Sequence, residues 1–163
     1  MAAVSETTIE VRLLTADDWK VWRDLRLRSL ADAPDAFGST LARERAFTEE
    51  TWRQRAAGNA VIALVDGTPA ALGAWFEPDP ETAHIVAMWT APEFRGRGIA
   101  VLVLDALVAS GRAAGLRVML DVARGNSVAR SLYERYGFVA TGEAEPLREG
   151  SDLLVDQMEL RQA

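Results

Sequence analysis

The chain has 163 residues, of which 49% are apolar and 26% charged, a composition typical of one folded domain and not of a disordered segment. Its formal net charge of −6 argues against a general nucleic-acid binder, because such proteins are usually basic. There is no cysteine, which excludes disulfides and thiolate chemistry. With only one histidine, a structural zinc site is unexpected, and no metal cofactor is predicted.

The N-terminal part of the chain is predicted to contain one strand and two helices. Alternating β-branched residues indicate a strand over 8–14, and apolar residues at helical spacing indicate helices over 16–31 and 49–57. The residues predicted to cap or end these helices are Thr15, Pro34, Gly38, Thr48 and Gly58.

The middle of the chain is predicted to form an antiparallel meander of three strands. Two apolar runs at 60–65 and 70–77 flank a turn of sequence DGTP, which is typical of a hairpin. A second turn at 78–81 leads into a third strand over 82–90, and Pro92 ends it.

The C-terminal part alternates helices and strands. A helix over 99–115 is apolar almost all round and is therefore predicted to be buried, with Gly111 interrupting it and Gly115 ending it. A helix over 127–136 has Asn126 or Ser127 at its cap, and Gly137 ends it with Phe138 as the apolar partner. The strands are predicted at 116–122, 138–141 and 153–160. This order predicts one mixed α/β domain over 1–163.

The stretch RGRGIA at 95–100 stands between a predicted strand and a predicted helix. A helix N-terminus has unpaired N–H groups, glycines let the backbone approach a ligand closely, and arginines add positive charge, so the stretch suits an anion such as a phosphate. It lacks the Gly-Lys-Ser/Thr end of a P-loop and the third glycine of a dinucleotide fingerprint. A plain surface turn with two glycines is the alternative.

Two motifs together resemble the GNAT superfamily of N-acetyltransferases, over about residues 60–160. The first is the family's Q/R-x-x-G-x-G/A motif, which is matched by Arg95, Gly96, Arg97, Gly98, Ile99 and Ala100. The second has the form N-x-x-A-x-x-x-Y-x-x-x-G-F and is matched by Asn126, Ala129, Tyr133, Gly137 and Phe138. A helix and a strand separate the two motifs, as in that superfamily.

The resemblance implies a GNAT-like fold, with a splayed central strand pair and flanking helices. It also implies that the protein uses acetyl-CoA as acetyl donor. It places the pyrophosphate on residues 95–100 and runs the pantetheine arm along the strand at Met88, Trp89 and Thr90. Asn126, with Ala129 in the same motif, is expected to form a hydrogen bond either to the pantetheine arm or within the helix cap. Backbone N–H groups near Trp89 are expected to polarise the thioester carbonyl.

For the chemistry, the resemblance implies that Tyr133 is the general acid for the leaving thiolate, and in some family members a carboxylate placed like Asp121 is the general base. Each has a plainer interpretation, a half-buried aromatic residue for Tyr133 and an exposed carboxylate or loop cap for Asp121. Glu77, Glu81, His84 or a chain of waters are rival bases. The five tryptophans are interpreted as core or interface residues, although Trp22, Trp75 and Trp89 are also considered for an acceptor pocket.

The sequence therefore predicts direct transfer of acetyl from acetyl-CoA to an amine in a ternary complex. The alternatives are a CoA-binding regulatory domain without catalysis and a weaker nucleic-acid-binding hypothesis based on 95–97. The acceptor, a small molecule or a peptide, stays open, and a homodimer is possible. No apolar run reaches the roughly 18 residues of a membrane span, the N-terminus does not resemble a signal peptide, and the lack of cysteine fits the cytoplasm, so that location is expected.

Overall fold

The computed structural model describes residues 6–161 and contains one seven-stranded sheet with the order β1-β2-β3-β4-β5-β7-β6. The strands are β1 (Ile9–Leu13), β2 (Ala60–Val65), β3 (Thr68–Phe76), β4 (Thr82–Thr90), β5 (Arg117–Ala123), β6 (Phe138–Pro146) and β7 (Leu154–Leu160). The helices are α1 (Trp19–Asp32), α2 (Leu41–Arg45), α3 (Glu49–Ala57), α4 (Ile99–Ala113) and α5 (Ser127–Tyr136). The predicted mixed α/β architecture is confirmed.

The helix boundaries follow local capping. The side chains of Thr48 and Asn126 accept hydrogen bonds from the first turns of α3 and α5, and Gly137 ends α5 with a positive φ of 122°. Thr15 caps a short 3₁₀ turn that leads into α1. The sequence did not predict α2, in which the Thr40 side chain accepts from the Arg43 N–H at 3.2 Å.

Helices cover both faces of the sheet and produce two cores. On one face α4 and α5 pack on the sheet, and on the other α1 and α3 do. The prediction that Gly111 interrupts its helix is wrong, because α4 runs through it. Gly111 instead permits close packing, since a Cβ there would lie 3.0 Å from the Ala83 Cβ. Nor is α4 buried all round, because Leu102 on its outer side is 37% exposed.

The sheet opens between β4 and β5. These parallel strands pair through only four positions, from Thr82 opposite Arg117 to Ile85 opposite Leu120. Beyond that point β5 continues beside β7, while β4 stays beside β3. The predicted splayed strand pair is therefore present, and it leaves one side of the C-terminal half of β4 without a partner strand.

A bulge in β4 lies directly after the point of opening. Val86 pairs with Ala74 and Trp89 with Leu72, so three steps along β4 match two along β3. Ala87, inside the bulge, has a φ of 64°, the left-handed region that residues other than glycine seldom adopt. The opposing Gly73 has no room for a side chain, since a Cβ there would lie 2.8 Å from the Met88 Sδ. The bulge thus changes the direction of the β4 backbone at the point where β4 and β5 separate.

No helix within residues 6–161 combines the length and the apolar character needed to cross a membrane.

Candidate active site

A cavity of about 580 Å³ fills the opening between β4 and β5. Its other side is closed by helices α1 and α2, the segment between them, and Arg55 of α3. Six of the residues that the sequence singled out line this cavity, namely His84, Met88, Asp121, Asn126, Ala129 and Tyr133. They come from β4, β5 and the start and middle of α5, so the fold brings together residues that are up to 49 positions apart in the chain.

Tyr133 lies on the face of α5 that packs against the sheet and is only 7% exposed. Its ring meets the Phe138 ring edge-on, with the centroids 5.8 Å apart. Its hydroxyl has no hydrogen-bond partner among the described residues. Burial raises the pKa of Tyr133 to about 12, and the phenol is therefore protonated at any pH near neutrality.

The two tyrosines allow a direct test of this environment. Burial and a hydrogen bond to Asp105 also raise the pKa of Tyr136, so neither phenol should ionise near the ordinary value of about 10. We expect the phenolate absorbance of the native protein to show no step near pH 10, and a step there in denaturant. The native state holds these protons more tightly, so the corresponding stability is present below pH 10 and is lost as the pH rises towards 12. A native step near pH 10 would contradict the burial of at least one hydroxyl.

Asp121 faces His84 across the point where the strands separate. His84 Nε2 lies 3.4 Å from Asp121 Oδ2, and both side chains line the cavity. His84 belongs to the last paired stretch of β4, opposite Met119, whereas Asp121 is the first β5 residue beyond the pairing. The rival carboxylates Glu77 and Glu81 do not line the cavity.

Asn126 has its side-chain oxygen engaged at the start of α5, where it accepts from the Ala129 N–H at 3.3 Å. The cap predicted for this helix is therefore Asn126, not Ser127. Because the oxygen is used in the cap, the amide N–H₂ group of Asn126 is the part of the side chain left to face the cavity.

The RGRGIA stretch lies outside the cavity, at the N-terminus of α4. Gly96 and Gly98 have φ values of 79° and 75°, and a Cβ at either position would meet nothing within 4 Å. Gly98 is the N-cap of α4, and no side chain caps that end of the helix. The first N–H groups of α4 thus lie beside open space, which suits an anion.

The two arginines of this stretch differ in their surroundings. Arg95 donates to the Thr90 carbonyl at 3.0 Å and to Asp32 Oδ2 at 2.9 Å, so its guanidinium holds the loop against the rest of the molecule. Arg97 makes only a 3.5 Å contact with the Glu93 carbonyl and stacks over Phe94. Arg97 is therefore the more available of the two for a ligand.

The sequence analysis missed a tether from α1 to this loop. Asp32 accepts from both Trp89 Nε1 and Arg95, and these hydrogen bonds hold the pKa of Asp32 below its ordinary value. Arg28 forms two hydrogen bonds of 2.8 and 2.7 Å with Glu93, which lower the pKa of Glu93 to about 2. The i,i+4 spacing of Arg28 and Asp32 was the available signal, because it puts both on one side of α1.

None of the tryptophans lines the cavity. The suggestion that Trp22, Trp75 and Trp89 form an acceptor pocket is therefore wrong, and all five tryptophans are core residues with at most 8% exposure. The Trp89 indole points toward α1, where it bonds to Asp32, so only the backbone of Trp89 can serve a ligand on the cavity side of β4.

Comparison with known proteins decides the family. The profile of the acetyltransferase (GNAT) family matches residues 20–138. The chain belongs to that family. The prediction of an acetyl-CoA-dependent N-acetyltransferase is thereby confirmed at the level of the enzyme class.

Solved structures of acetyltransferases share the fold. The GNAT-family acetyltransferase of Streptococcus pneumoniae is 18% identical with a TM-score of 0.74, covering 93% of this chain and 98% of that one. The PaiA N-acetyltransferase of Thermoplasma acidophilum, solved with coenzyme A, is 18% identical with a TM-score of 0.71 and coverages of 95% and 99%. The ribosomal-protein-alanine N-acetyltransferase of Brucella melitensis is 17% identical with a TM-score of 0.75 and coverages of 94% and 99%. The comparison with curated proteins gave no match.

In this acetyltransferase, three features suit CoA. No side chain caps the α4 N-terminus, the C-terminal half of β4 has one side without a partner strand, and the cavity beside that side is lined by Tyr133. Across the described part of the chain, no three side chains of His, Asp or Glu assemble in a way that would hold a metal ion.

Proposed function

We propose that the protein transfers the acetyl group of acetyl-CoA directly to a primary amine, with both substrates bound at once in the cleft between β4 and β5. The observation that carries the proposal is that one cavity, beside the open side of β4, is lined by Tyr133, Asp121 and His84. The chain has no cysteine to carry an acetyl group covalently, which favours a direct transfer.

In this proposal the acetyl-CoA molecule runs from the N-terminus of α4, where its pyrophosphate binds, along β4, where its pantetheine arm binds. Backbone N–H groups of residues 96–100 bind the pyrophosphate, with Arg97 adding positive charge, while Arg95 keeps the loop in place. The pantetheine arm lies along Met88, Trp89 and Thr90 as an added strand, opposite the start of α5 with Asn126 and Ala129.

The chemistry forms a carbon–nitrogen bond, breaks the carbon–sulfur bond, removes a proton from the nitrogen and adds one to the sulfur. The neutral amine nitrogen attacks the thioester carbonyl carbon, and backbone N–H groups of the β4 bulge stabilise the oxygen that gains charge. The carbon–sulfur bond then breaks, the nitrogen loses a proton to a base, and the CoA sulfur takes a proton from Tyr133, which is reprotonated from solvent.

The raised pKa of Tyr133 defines the kind of help that it gives. A free thiol ionises near 8.5, so full transfer of a proton from a phenol with a pKa of about 12 to a free thiolate is uphill. The hydroxyl therefore acts best as a hydrogen-bond donor to the sulfur while charge is developing on it, and any full transfer of the proton is completed only when solvent reprotonates the phenolate.

We propose Asp121, paired with His84, as the base that removes the amine proton, and this assignment can be tested separately. If Asp121 serves as the base, the acidic limb of the pH–rate profile shifts or vanishes in Asp121→Asn. His84→Gln should displace the same limb, since the two side chains are in contact. An unchanged limb in both variants would assign the proton to water or another residue.

The function as a whole is tested by thiol release from acetyl-CoA over a panel of amines that includes amino acids, polyamines and peptides with free N-termini. The ribosomal-protein-alanine N-acetyltransferase of similar fold motivates the peptide arm. Turnover with at least one amine, in proportion to acetylated product, is the expected result. CoA binding by calorimetry without turnover on any amine would instead indicate a CoA-binding domain that has lost catalysis.

A further inference from the structure

The two walls of the cavity carry opposite charges. The strand wall presents His84, Asp121 and Glu145, and the helical wall presents Arg26, Arg43 and Arg55 with a single carboxylate, Glu44. The lining as a whole has three arginines and three carboxylates, so its charge is separated between the two walls and is not in excess.

The negative charge of Glu44 is already balanced by an ion pair within the helical wall. Glu44 is 1% exposed and accepts two hydrogen bonds of 2.9 Å from Arg26 Nε and Nη2. Burial alone raises the pKa of Glu44, but the hydrogen bonds and charge of Arg26, with help from Ser39 and Arg55, outweigh it, so the pKa is lowered. Glu44 is therefore ionised and is matched by Arg26.

The remaining positive charge has no partner on this wall. Arg43 and Arg55 have no carboxylate within ion-pair distance among the described residues, and they share one aromatic ring, Phe47, at 5.8 and 4.6 Å. Nη1 of Arg26, a residue that is 9% exposed as a whole, is buried and without a hydrogen-bond partner. An unsatisfied buried N–H is costly, and an anion in the cavity would be attracted by all three groups.

We propose that the acceptor is an amine that also carries an anionic group, bound with its amine towards Asp121 and Glu145 and its anion towards Arg43 and Arg55. An amino acid with a free α-carboxylate has this chemistry, and so does a peptide whose residues next to the N-terminus are acidic. The inference rests on the proposed function, because it names the acceptor class for the same cavity.

The test compares acceptors that differ in one anionic group, with kcat/KM referred to the neutral-amine form because amidation also lowers the pKa of the α-amine. Each active amino acid is assayed beside its α-amide, and peptides with acidic or neutral second residues form the other arm. We expect kcat/KM to be roughly tenfold or more higher for the anionic member of each pair in one arm, because hydrogen bonds to charged groups are the strong ones. The arm that shows the preference identifies the source of the anion. Equal kcat/KM for charged and neutral members in both arms would overturn the inference while leaving the acetyltransferase function intact.

Substitutions test whether Arg43 and Arg55 are the residues that recognise the anionic group. Arg43→Gln with Arg55→Gln should raise KM for the anionic acceptor by roughly tenfold or more, leave kcat near the native value and remove most of the preference. Arg45→Gln, which changes an exposed arginine on α2 outside the cavity lining, is the matched control and should behave as native. Arg26 is left unchanged, because its loss would strand the buried Glu44.

A binding experiment separates failure of this inference from failure of the proposed function. Calorimetry of the CoA-bound protein with N-acetylglutamate and with the corresponding diamide measures anion recognition without turnover. Tighter binding of the anionic ligand that disappears in the double arginine variant supports the inference even if no amine is acetylated. Equal binding of both ligands, or a preference that survives in the double variant, overturns it.

Discussion

Tyr133→Phe should lower kcat by tens-fold or more while leaving the affinity for acetyl-CoA nearly unchanged. The ring and its contact with Phe138 remain, and only the hydroxyl of this cavity-lining residue is lost. Positioned proton donors contribute roughly 10²–10⁴-fold, and a thiolate is a tolerable leaving group, so the lower part of that range is expected. Single-turnover rates and calorimetric CoA binding measure the two quantities.

Tyr136→Phe is the matched control for this substitution. Tyr136 is the other tyrosine of α5, and its hydroxyl donates to Asp105 at 2.6 Å, outside the cavity. Its loss should lower stability modestly and leave kcat unchanged. Native kcat in Tyr133→Phe, measured with the true acceptor, would make Tyr133 a structural residue and remove it from the mechanism.

Gly98→Val should weaken CoA binding by roughly tenfold or more. A β-branched residue at a φ of 75° is strained by an amount on the order of 1–2 kcal/mol, and the loop relieves this strain by moving its N–H groups. Because a Cβ at this position meets no protein atom within 4 Å, packing is not disturbed. The measurement is the calorimetric dissociation constant for CoA.

Gly115→Val separates strain from binding. Gly115 has a φ of 78° and equally open surroundings, and it lies beyond the other end of α4, a helix of 15 residues that is about 22 Å long. Both variants should lose similar thermal stability, but only Gly98→Val should lose CoA affinity. Equal CoA affinity in the two variants would show that residues 96–100 do not bind the pyrophosphate.

Elements with local signals were predicted well from the sequence. The helix over 127–136 has the same limits in the structure, because Asn126 caps it and Gly137 ends it within the segment itself. The strand over 82–90 is equally accurate. By contrast, α2 has only five residues and no hydrophobic periodicity, and β6 extends to Pro146, beyond the predicted 141, because pairing with β7 continues past a bulge.

Contacts between distant parts of the chain were not predictable in this way. His84 and Asp121 meet because β4 and β5 pair in parallel, and that register depends on the whole sheet. The tether of Asp32 to Trp89 and Arg95, and the burial of Glu44 against Arg26, depend on how α1 and α2 dock on the sheet. Composition and spacing identified several participants, but only the tertiary structure shows their partners.

The short pairing between β4 and β5 also has a consequence for how the molecule comes apart. Four positions of backbone pairing join β1–β4 to β5–β7, so this junction has fewer interstrand hydrogen bonds to resist local opening than a complete ladder would. Within the central sheet, amide exchange should be fastest in the C-terminal half of β4, which pairs with β3 on one side only. A ligand that bonds to β4 and to α5 across this gap acts as a missing strand, and its binding energy adds to the cohesion of the two halves. The opening that admits substrates is thus also the line along which the native state is held together least by its own backbone.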